Sequence, residues 1–188
     1  MRFQATCYRG HDPQWAFSPL SGDGAKAGRR FNPEGVAALY LALSIETMIV
    51  EVTHGFAHRF KPLTIVTYDV DVADIVDLRT DDGRRAADVE LADMACAWRL
   101  DLADGQVPGS WRIANRLRKT AAGILVPSFA HGARQDTHNL VLWKWSQELP
   151  HRVTVYDPSG RLPKDQRSWE SKMNPQNNFP TAADSRRQ

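Results

Sequence analysis

The hydrophobic periodicity of this chain switches repeatedly between strand-like and helix-like, and no unit repeats. Alternating or continuous short apolar runs are typical of strands, and apolar residues three to four apart are typical of helices. We predict strands at residues 3–9, 38–43, 63–72, 75–78, 123–129, 139–145 and 152–157. We predict helices at residues 44–56, 83–100 and 110–120. These elements do not alternate as β-α-β units, so we expect an α+β fold: a single compact domain with a mixed, mostly antiparallel sheet and flanking helices.

Length and charge narrow the class of protein. The chain has 188 residues, of which 42% are hydrophobic, enough for one domain that we place at residues 1–160, followed by a polar C-terminal tail at residues 161–188. The formal net charge is only +2, so we expect no direct nucleic-acid binding.

The longest apolar run is shorter than the roughly 20 residues of a membrane-spanning helix, so no membrane association is expected. Two distant cysteines and the lack of a leader pattern predict a cytoplasmic protein with free thiols.

The segment "AGRRFNPEG", residues 27–35, places two adjacent arginines beside an aromatic residue and between glycines. A surface turn needs glycine and polar side chains, but it gains nothing from paired guanidinium groups. Guanidinium groups bind phosphate and carboxylate in bidentate fashion. The segment therefore indicates an anionic ligand.

The strand that follows this segment, residues 38–43, has leucines on one face and Tyr40 between Ala38 and Ala42 on the other. The small neighbours leave space beside the tyrosine ring. Either a packed helix fills that space, or a flat ligand ring stacks on the tyrosine.

The predicted helix at residues 44–56 has Ser44 as its N-cap and Glu51 on its flank. One apolar stripe of this helix is expected to face the core, and it consists of Ile45, Met48, Ile49, Val52 and Phe56. Glu51 lies roughly 120° from the centre of this stripe at about 100° per residue. A carboxylate at that angle lines a cleft beside the core, or it is an ordinary solvated glutamate.

Other sequence patterns exclude several chemistries. Ser128 follows Pro127, which interrupts an apolar strand, but no GxSxG motif surrounds it, so a serine hydrolase is not expected. Phosphate-loop, GxGxxG, CxxC and HExxH motifs do not occur, and we expect no metal. The predicted helix at residues 110–120 has a basic stripe formed by Arg112, Arg116 and Lys119. This stripe is either a solvated face or a docking site for an acidic partner.

Four segments together resemble a known family. "CYRG", "GRRFNPEGVAALYLALSIETMIVEV", "ILVPSF" and "HNLVL" are similar to the RES domain over roughly residues 5–145. The resemblance implies a bacterial toxin of a type II toxin–antitoxin pair, with a fold similar to the diphtheria-toxin type of ADP-ribosyltransferase. It also implies that NAD+ is consumed as substrate and that a cognate antitoxin protein is the partner.

The resemblance also implies site residues. Arg30, Tyr40 and Glu51 match the family's catalytic positions. The NAD-binding positions implied are Arg9, Arg30, Tyr40, Ser128 and Asn139. Where many family members have Gly-Gly-Arg-Trp-Asn, this chain has Gly-Arg-Arg-Phe-Asn, which leaves both Arg29 and Arg30 as candidates for the ligand contact; we assign Arg30, which directly precedes the aromatic residue.

These assignments predict an NAD+-dependent ADP-ribosyl-transferring enzyme. The guanidinium of Arg30, with Arg9, would bind the pyrophosphate, Tyr40 would stack on nicotinamide, and Glu51 would stabilise the positive ribose. The acceptor of ADP-ribose is phosphate, water or a side chain of one target protein, and the sequence does not separate these. The alternative is a catalytically inactive binding module that acts in a regulatory complex with an antitoxin.

Overall fold

The structure, a computed structural model, describes residues 1–22, 28–54, 56 and 61–165. The predicted C-terminal tail lies outside the described residues from residue 166 onward, so the predicted boundary between domain and tail stays a prediction.

The described residues form one seven-stranded sheet with the order β4-β5-β6-β2-β1-β3-β7. Its strands are β1 Phe3–His11, β2 Leu39–Ala42, β3 Thr64–Val72, β4 Ile75–Asp77, β5 Gly123–Pro127, β6 His138–Leu142 and β7 His151–Val155. Strands β4 and β5 pair in parallel, and each of the other neighbouring pairs is antiparallel. The predicted α+β fold with a mixed, mostly antiparallel sheet is confirmed.

Five short α-helices flank the sheet in the part of the chain that the structure describes. They are α1 Ile45–Thr53, α2 Asp81–Ala86, α3 Leu91–Ala95, α4 Trp98–Ala103 and α5 Gly109–Leu117. The Ser44 hydroxyl accepts a hydrogen bond from the Thr47 N–H at 3.1 Å, which confirms the predicted cap of α1. Helix α5 begins one residue earlier than predicted, after Pro108, and Ser110 is buried within its first turn.

The single helix predicted at residues 83–100 is wrong. Asp88 adopts a left-handed backbone with φ of 52°, which ends α2 and redirects the chain. Val89 and Met94 are then buried in the core below. The chain turns here so that these two side chains are buried against the sheet. Local periodicity does not indicate such a break, because it does not show what lies beneath the helix.

The sheet carries a buried apolar cluster on each face. The first cluster comes mainly from β1, β2 and β3 and includes Leu39 and Leu41. The second lies under α3 and α5, and Tyr40 packs against its edge. Tyr40 thus faces the helical side of the sheet, at the margin of the core.

The expectation that the whole apolar stripe of α1 faces the core is also wrong. Met48 is 2% exposed, whereas Ile45, Ile49 and Val52 are 37–40% exposed. Helix α1 approaches β1 closely at Gly10, where a Cβ atom would lie 3.0 Å from the side chains of both Met48 and Val52. Because the helix meets the sheet along this narrow line, most of its apolar stripe stays at the surface.

Candidate active site

The arginine-containing segment folds into a turn that hydrogen bonds fix from inside. Gly28 has a φ of 63°, and the Arg29 N–H donates to the Asn32 carbonyl at 2.9 Å. The Tyr40 hydroxyl accepts from the Phe31 N–H at 3.0 Å and donates to the Asn32 side-chain oxygen at 2.7 Å. The hydroxyl of Tyr40 therefore holds the turn, a role that the sequence did not indicate. The same bonds fix the orientation of its ring.

Arg30 leaves this turn and is anchored across the structure. Its Nη1 donates to the carbonyls of Met94 at 3.0 Å and Cys96 at 2.7 Å, and its guanidinium carbon lies 5.0 Å from the centre of the Phe129 ring. Burial is the main influence on the pKa of Arg30 and lowers it, although an arginine stays charged. Since these bonds both use Nη1, the Nε and Nη2 donors have no hydrogen-bond partner among the described residues and can bind a ligand.

Arg29 is placed differently. Its side chain is exposed, and its hydrogen bonds to the described residues come from its backbone: the N–H donates to Asn32, and the carbonyl accepts from the Trp111 indole at 2.7 Å. Both arginines line the same cleft. Arg30 is thus anchored to the chain at Met94 and Cys96, whereas the side chain of Arg29 has no such anchor among the described residues.

Glu51, Ser128 and Asn139 are brought together from three elements. Glu51 Oε1 accepts a hydrogen bond from the Ser128 hydroxyl at 2.6 Å and another from the Asn139 amide at 2.5 Å. Ser128 directly follows β5, where its N–H donates to the Thr137 carbonyl at 2.8 Å, and Asn139 lies in the neighbouring strand β6. The two donors fix the carboxylate through one oxygen. Within the described chain the other oxygen, Oε2, has no recorded partner.

A cleft of about 480 Å³ joins these groups. A volume of this size is typical of small-molecule sites. Five of the six residues assigned from the resemblance line it: Arg9, Arg30, Tyr40, Glu51 and Asn139. The sixth, Ser128, reaches the cleft through Glu51. Arg9 is held by the carbonyl of Ser21, to which its Nη1 donates at 2.9 Å.

Sequence reasoning missed several residues of this cleft, among them Trp98 and Arg99 in α4. The Arg99 guanidinium carbon lies 5.0 Å from the centre of the Trp98 ring. No motif marks them, and they lie close in sequence to Met94 and Cys96, whose carbonyls accept from Arg30.

The basic stripe on α5 is used within the chain. Arg116 donates to the carbonyls of Ala87 at 2.9 Å and Asp88 at 2.6 Å, and Arg112 donates to the Asp93 carboxylate at 3.1 Å. These bonds hold α3 and the chain between α2 and α3 against α5. Arg112 and Arg116 therefore have structural roles in the helical layer.

The described residues lack two features. In residues 1–22, 28–54, 56 and 61–165, no three His, Cys, Asp or Glu side chains are grouped closely enough to hold a metal ion. Nor does this part of the chain contain a helix with the length and apolar character needed to span a membrane.

Comparisons with known proteins identify the family of this chain. No curated protein matches the sequence significantly. Among solved structures, a chain in the crystal structure of the M. tuberculosis MbcT–MbcA toxin–antitoxin complex matches with a TM-score of 0.53 and 25% sequence identity, and 84% of each chain is covered. The family model named "RES domain" matches residues 6–165, which contain every residue assigned to the site. The chain belongs to the RES domain family.

Proposed function

We propose that this protein is the toxin of a toxin–antitoxin pair and that it consumes NAD+ by breaking the bond between nicotinamide and ribose. Family membership and the similarity to a chain of a toxin–antitoxin complex support the first part. One observation carries the second part: the Glu51 carboxylate is fixed by two donors in the same cleft as Arg30 and Tyr40.

Glu51 acts on the charge that develops during bond cleavage. As the bond breaks, its electron pair goes to the nicotinamide nitrogen, which leaves neutral, and positive charge spreads over C1′ and the ring oxygen of the ribose. A fixed carboxylate stabilises this charge more in the transition state than in the ground state, which is the condition for raising the rate. Ser128 and Asn139 orient the carboxylate through Oε1, and Oε2 accepts a hydrogen bond from a ribose hydroxyl.

Arg30 and Arg9 bind the pyrophosphate. Carbonyl groups hold Nη1 of each arginine, so both side chains are oriented before the ligand arrives. Such preorganisation reduces the entropic cost of binding. For Arg30 the remaining Nε and Nη2 donors form the pair that matches two phosphate oxygens.

Tyr40 provides the surface for nicotinamide. Its hydroxyl is tied to the arginine turn, so its ring is held in one orientation at the cleft wall. A cationic ring stacks favourably on such a fixed aromatic face. Departure of nicotinamide removes the positive charge and weakens this contact, which favours release.

The antitoxin binds over the exposed apolar face of α1, which we define as Ile45, Ile49 and Val52. This face is continuous with the cleft, because Val52 belongs to the face and also lines the cleft beside Glu51. Apolar side chains exposed side by side on one helix mark a surface for a protein partner. An antitoxin seated there closes the mouth of the cleft and excludes NAD+.

The experiment measures nicotinamide release from NAD+ by the purified protein without antitoxin, using proton NMR with and without inorganic phosphate. The Glu51→Gln variant keeps an oxygen that accepts from Ser128 and Asn139 but removes the charge, so we expect turnover to fall about 100-fold or more. Glu46→Gln, on the same helix but exposed and outside the cleft, is the matched control.

The outcomes separate the remaining alternatives. Release that accelerates with phosphate identifies phosphate as the acceptor, release in buffer alone identifies water, and adenylate label on a protein band identifies a target side chain. Absence of release in all conditions, together with harmless expression in a bacterial host, refutes the enzyme and favours the binding module. Full turnover by Glu51→Gln refutes the role of Glu51.

A further inference from the structure

The backbone around Arg30 is held by side chains from outside its turn. The carbonyl of the preceding residue, Arg29, accepts a hydrogen bond from the Trp111 indole N–H at 2.7 Å. The carbonyl of the following residue, Phe31, accepts from the Trp143 indole N–H at 2.8 Å. Two tryptophans from separate elements therefore hold the residues on both sides of Arg30.

These bonds fix the peptide groups next to Arg30. The Arg29 carbonyl, bound by Trp111, belongs to the peptide group that precedes Arg30. The Phe31 N–H, which donates to the Tyr40 hydroxyl at 3.0 Å, belongs to the peptide group that follows it. Because a peptide group is planar, a hydrogen bond to its oxygen or from its nitrogen restricts its orientation. The direction in which the Arg30 side chain leaves the backbone is therefore set before a ligand binds.

Trp111 lies in α5 and packs closely on the turn. Gly28 has a φ of 63°, a backbone conformation that residues with a side chain rarely adopt. A Cβ atom at Gly28 would also lie 2.8 Å from the Trp111 ring, which is too close. Glycine at this position therefore allows the indole to reach the Arg29 carbonyl.

Helix α5 also supports the side chain of Arg30. Arg112, the neighbour of Trp111, donates to the Asp93 carboxylate in α3 at 3.1 Å. The next residue of α3, Met94, provides one of the two carbonyls that hold the Arg30 guanidinium. The same helix thus supports the backbone of the turn directly and the guanidinium through α3.

Trp143 directly follows β6 and is itself fixed by the sheet. Its backbone N–H donates to the Ala122 carbonyl at 2.8 Å, just before β5, and its ring packs against the second apolar cluster. Phe31 is 2% exposed, so water does not readily replace the indole as the donor to its carbonyl. The sheet therefore holds the turn from the side opposite to its entry.

We propose that Trp111 and Trp143 are positioning residues for Arg30, and that their indole N–H groups hold the turn in the arrangement that binds the pyrophosphate. The inference rests on the proposed function, because it assumes that Arg30 binds NAD+. Neither tryptophan is among the described residues that line the cleft, so both act through the turn and not by contact with the ligand.

The test measures kcat and KM for nicotinamide release by Trp111→Phe and Trp143→Phe. Phenylalanine keeps an aromatic ring and removes the N–H, and one lost hydrogen bond corresponds to about fivefold in affinity. The pyrophosphate does not change during cleavage, so its contacts contribute equally to substrate and transition-state binding. We therefore expect KM for NAD+ to rise about fivefold in each variant, with kcat nearly unchanged.

The matched control is Trp15→Phe. Trp15 is 55% exposed and outside the cleft, and its indole makes no hydrogen bond to the described residues. The control should leave KM unchanged. An equal rise of KM in the control, or a loss of kcat with unchanged KM in Trp111→Phe and Trp143→Phe, would overturn the proposal.

A double-mutant cycle separates positioning from a general structural role. In the Arg30→Gln background the two tryptophan substitutions should cause no further loss of kcat/KM, because the side chain that they position is gone. A substitution that only weakens the fold would act equally in both backgrounds, and that result would refute the positioning of Arg30.

Calorimetric titration with ADP-ribose distinguishes failure of this inference from failure of the proposed function, because it requires no turnover. ADP-ribose binding that depends on Arg30 and weakens in both tryptophan variants, without nicotinamide release, keeps the positioning role and loses the enzyme. Nicotinamide release and ADP-ribose binding that are both insensitive to Trp111→Phe and Trp143→Phe keep the enzyme and lose the positioning role. A wild type that neither binds ADP-ribose nor releases nicotinamide overturns both.

Discussion

The buried pair His11 and Tyr68 predicts that this protein loses stability in mild acid. His11 is 5% exposed at the end of β1, and its Nε2 lies 2.8 Å from the Tyr68 hydroxyl. That hydroxyl donates to the Pro19 carbonyl at 2.8 Å, in the loop that also anchors Arg9. Burial, with a smaller effect of the nearby Arg9 charge, lowers the pKa of His11 from 6.5 to about 4.

The sign of the effect follows from proton linkage. The unfolded chain takes up a proton near pH 6.5, while folded His11 resists protonation until about pH 4. Its contribution is therefore complete above pH 6.5 and is lost as the pH falls toward 4. Between pH 7.5 and 4.5 this corresponds to about 2 to 3 kcal/mol of the free energy of unfolding.

The assay is urea unfolding followed by tryptophan fluorescence at several pH values in this range, for the wild type and for His11→Gln. Glutamine keeps a polar atom near Tyr68 but does not titrate, so we expect the wild type to lose about 2 to 3 kcal/mol more than the variant. Tyr68→Phe, which keeps His11 but removes its partner, should retain the dependence on pH. Identical losses in the wild type and His11→Gln would refute the reasoning.

Two further predictions concern the cleft and its rim. Ser128→Ala and Asn139→Ala each remove one donor from the carboxylate of Glu51, so nicotinamide release should fall about tenfold with a small change in melting temperature; unchanged release from both would show that the donors do not orient Glu51. Ile49→Glu places a charge on the apolar face of α1 and should weaken antitoxin binding in a pull-down by about tenfold or more while growth arrest persists. Leu91→Glu, at a residue that is 45% exposed on α3, is its control, and an equal effect of both substitutions would contradict the docking surface.

Local sequence pattern predicted the strands better than the helices. Strands β1, β2, β3 and β5 lie within or close to their predicted segments, because alternation and apolar runs are local properties of a sheet with buried faces. The helix predicted at residues 83–100 failed because a break at Asp88 is decided by what lies beneath it. The stripe on α1 failed for a related reason: periodicity gives the apolar face of a helix but not how much of that face the sheet covers.

The candidate site shows the same division. Residue type and spacing indicated segment 27–35 and Glu51 as candidates for the site. The family resemblance implied Ser128 and Asn139 as further site residues. The contact of Ser128 and Asn139 with Glu51 was not predictable, since it joins positions 77 and 88 residues apart.

The sequence by itself determined the α+β class, most of the strands, the cap of α1 and several of the residue types that line the cleft, because these depend on periodicity and on chemistry within a few neighbouring residues. Tertiary structure decided which arginines are anchored among the described residues. The hydrogen bond of Arg30 to the Cys96 carbonyl joins positions 66 residues apart, and both Arg30 and Arg99 line the cleft. Such assignments depend on how separate elements pack, and packing is set by the whole core.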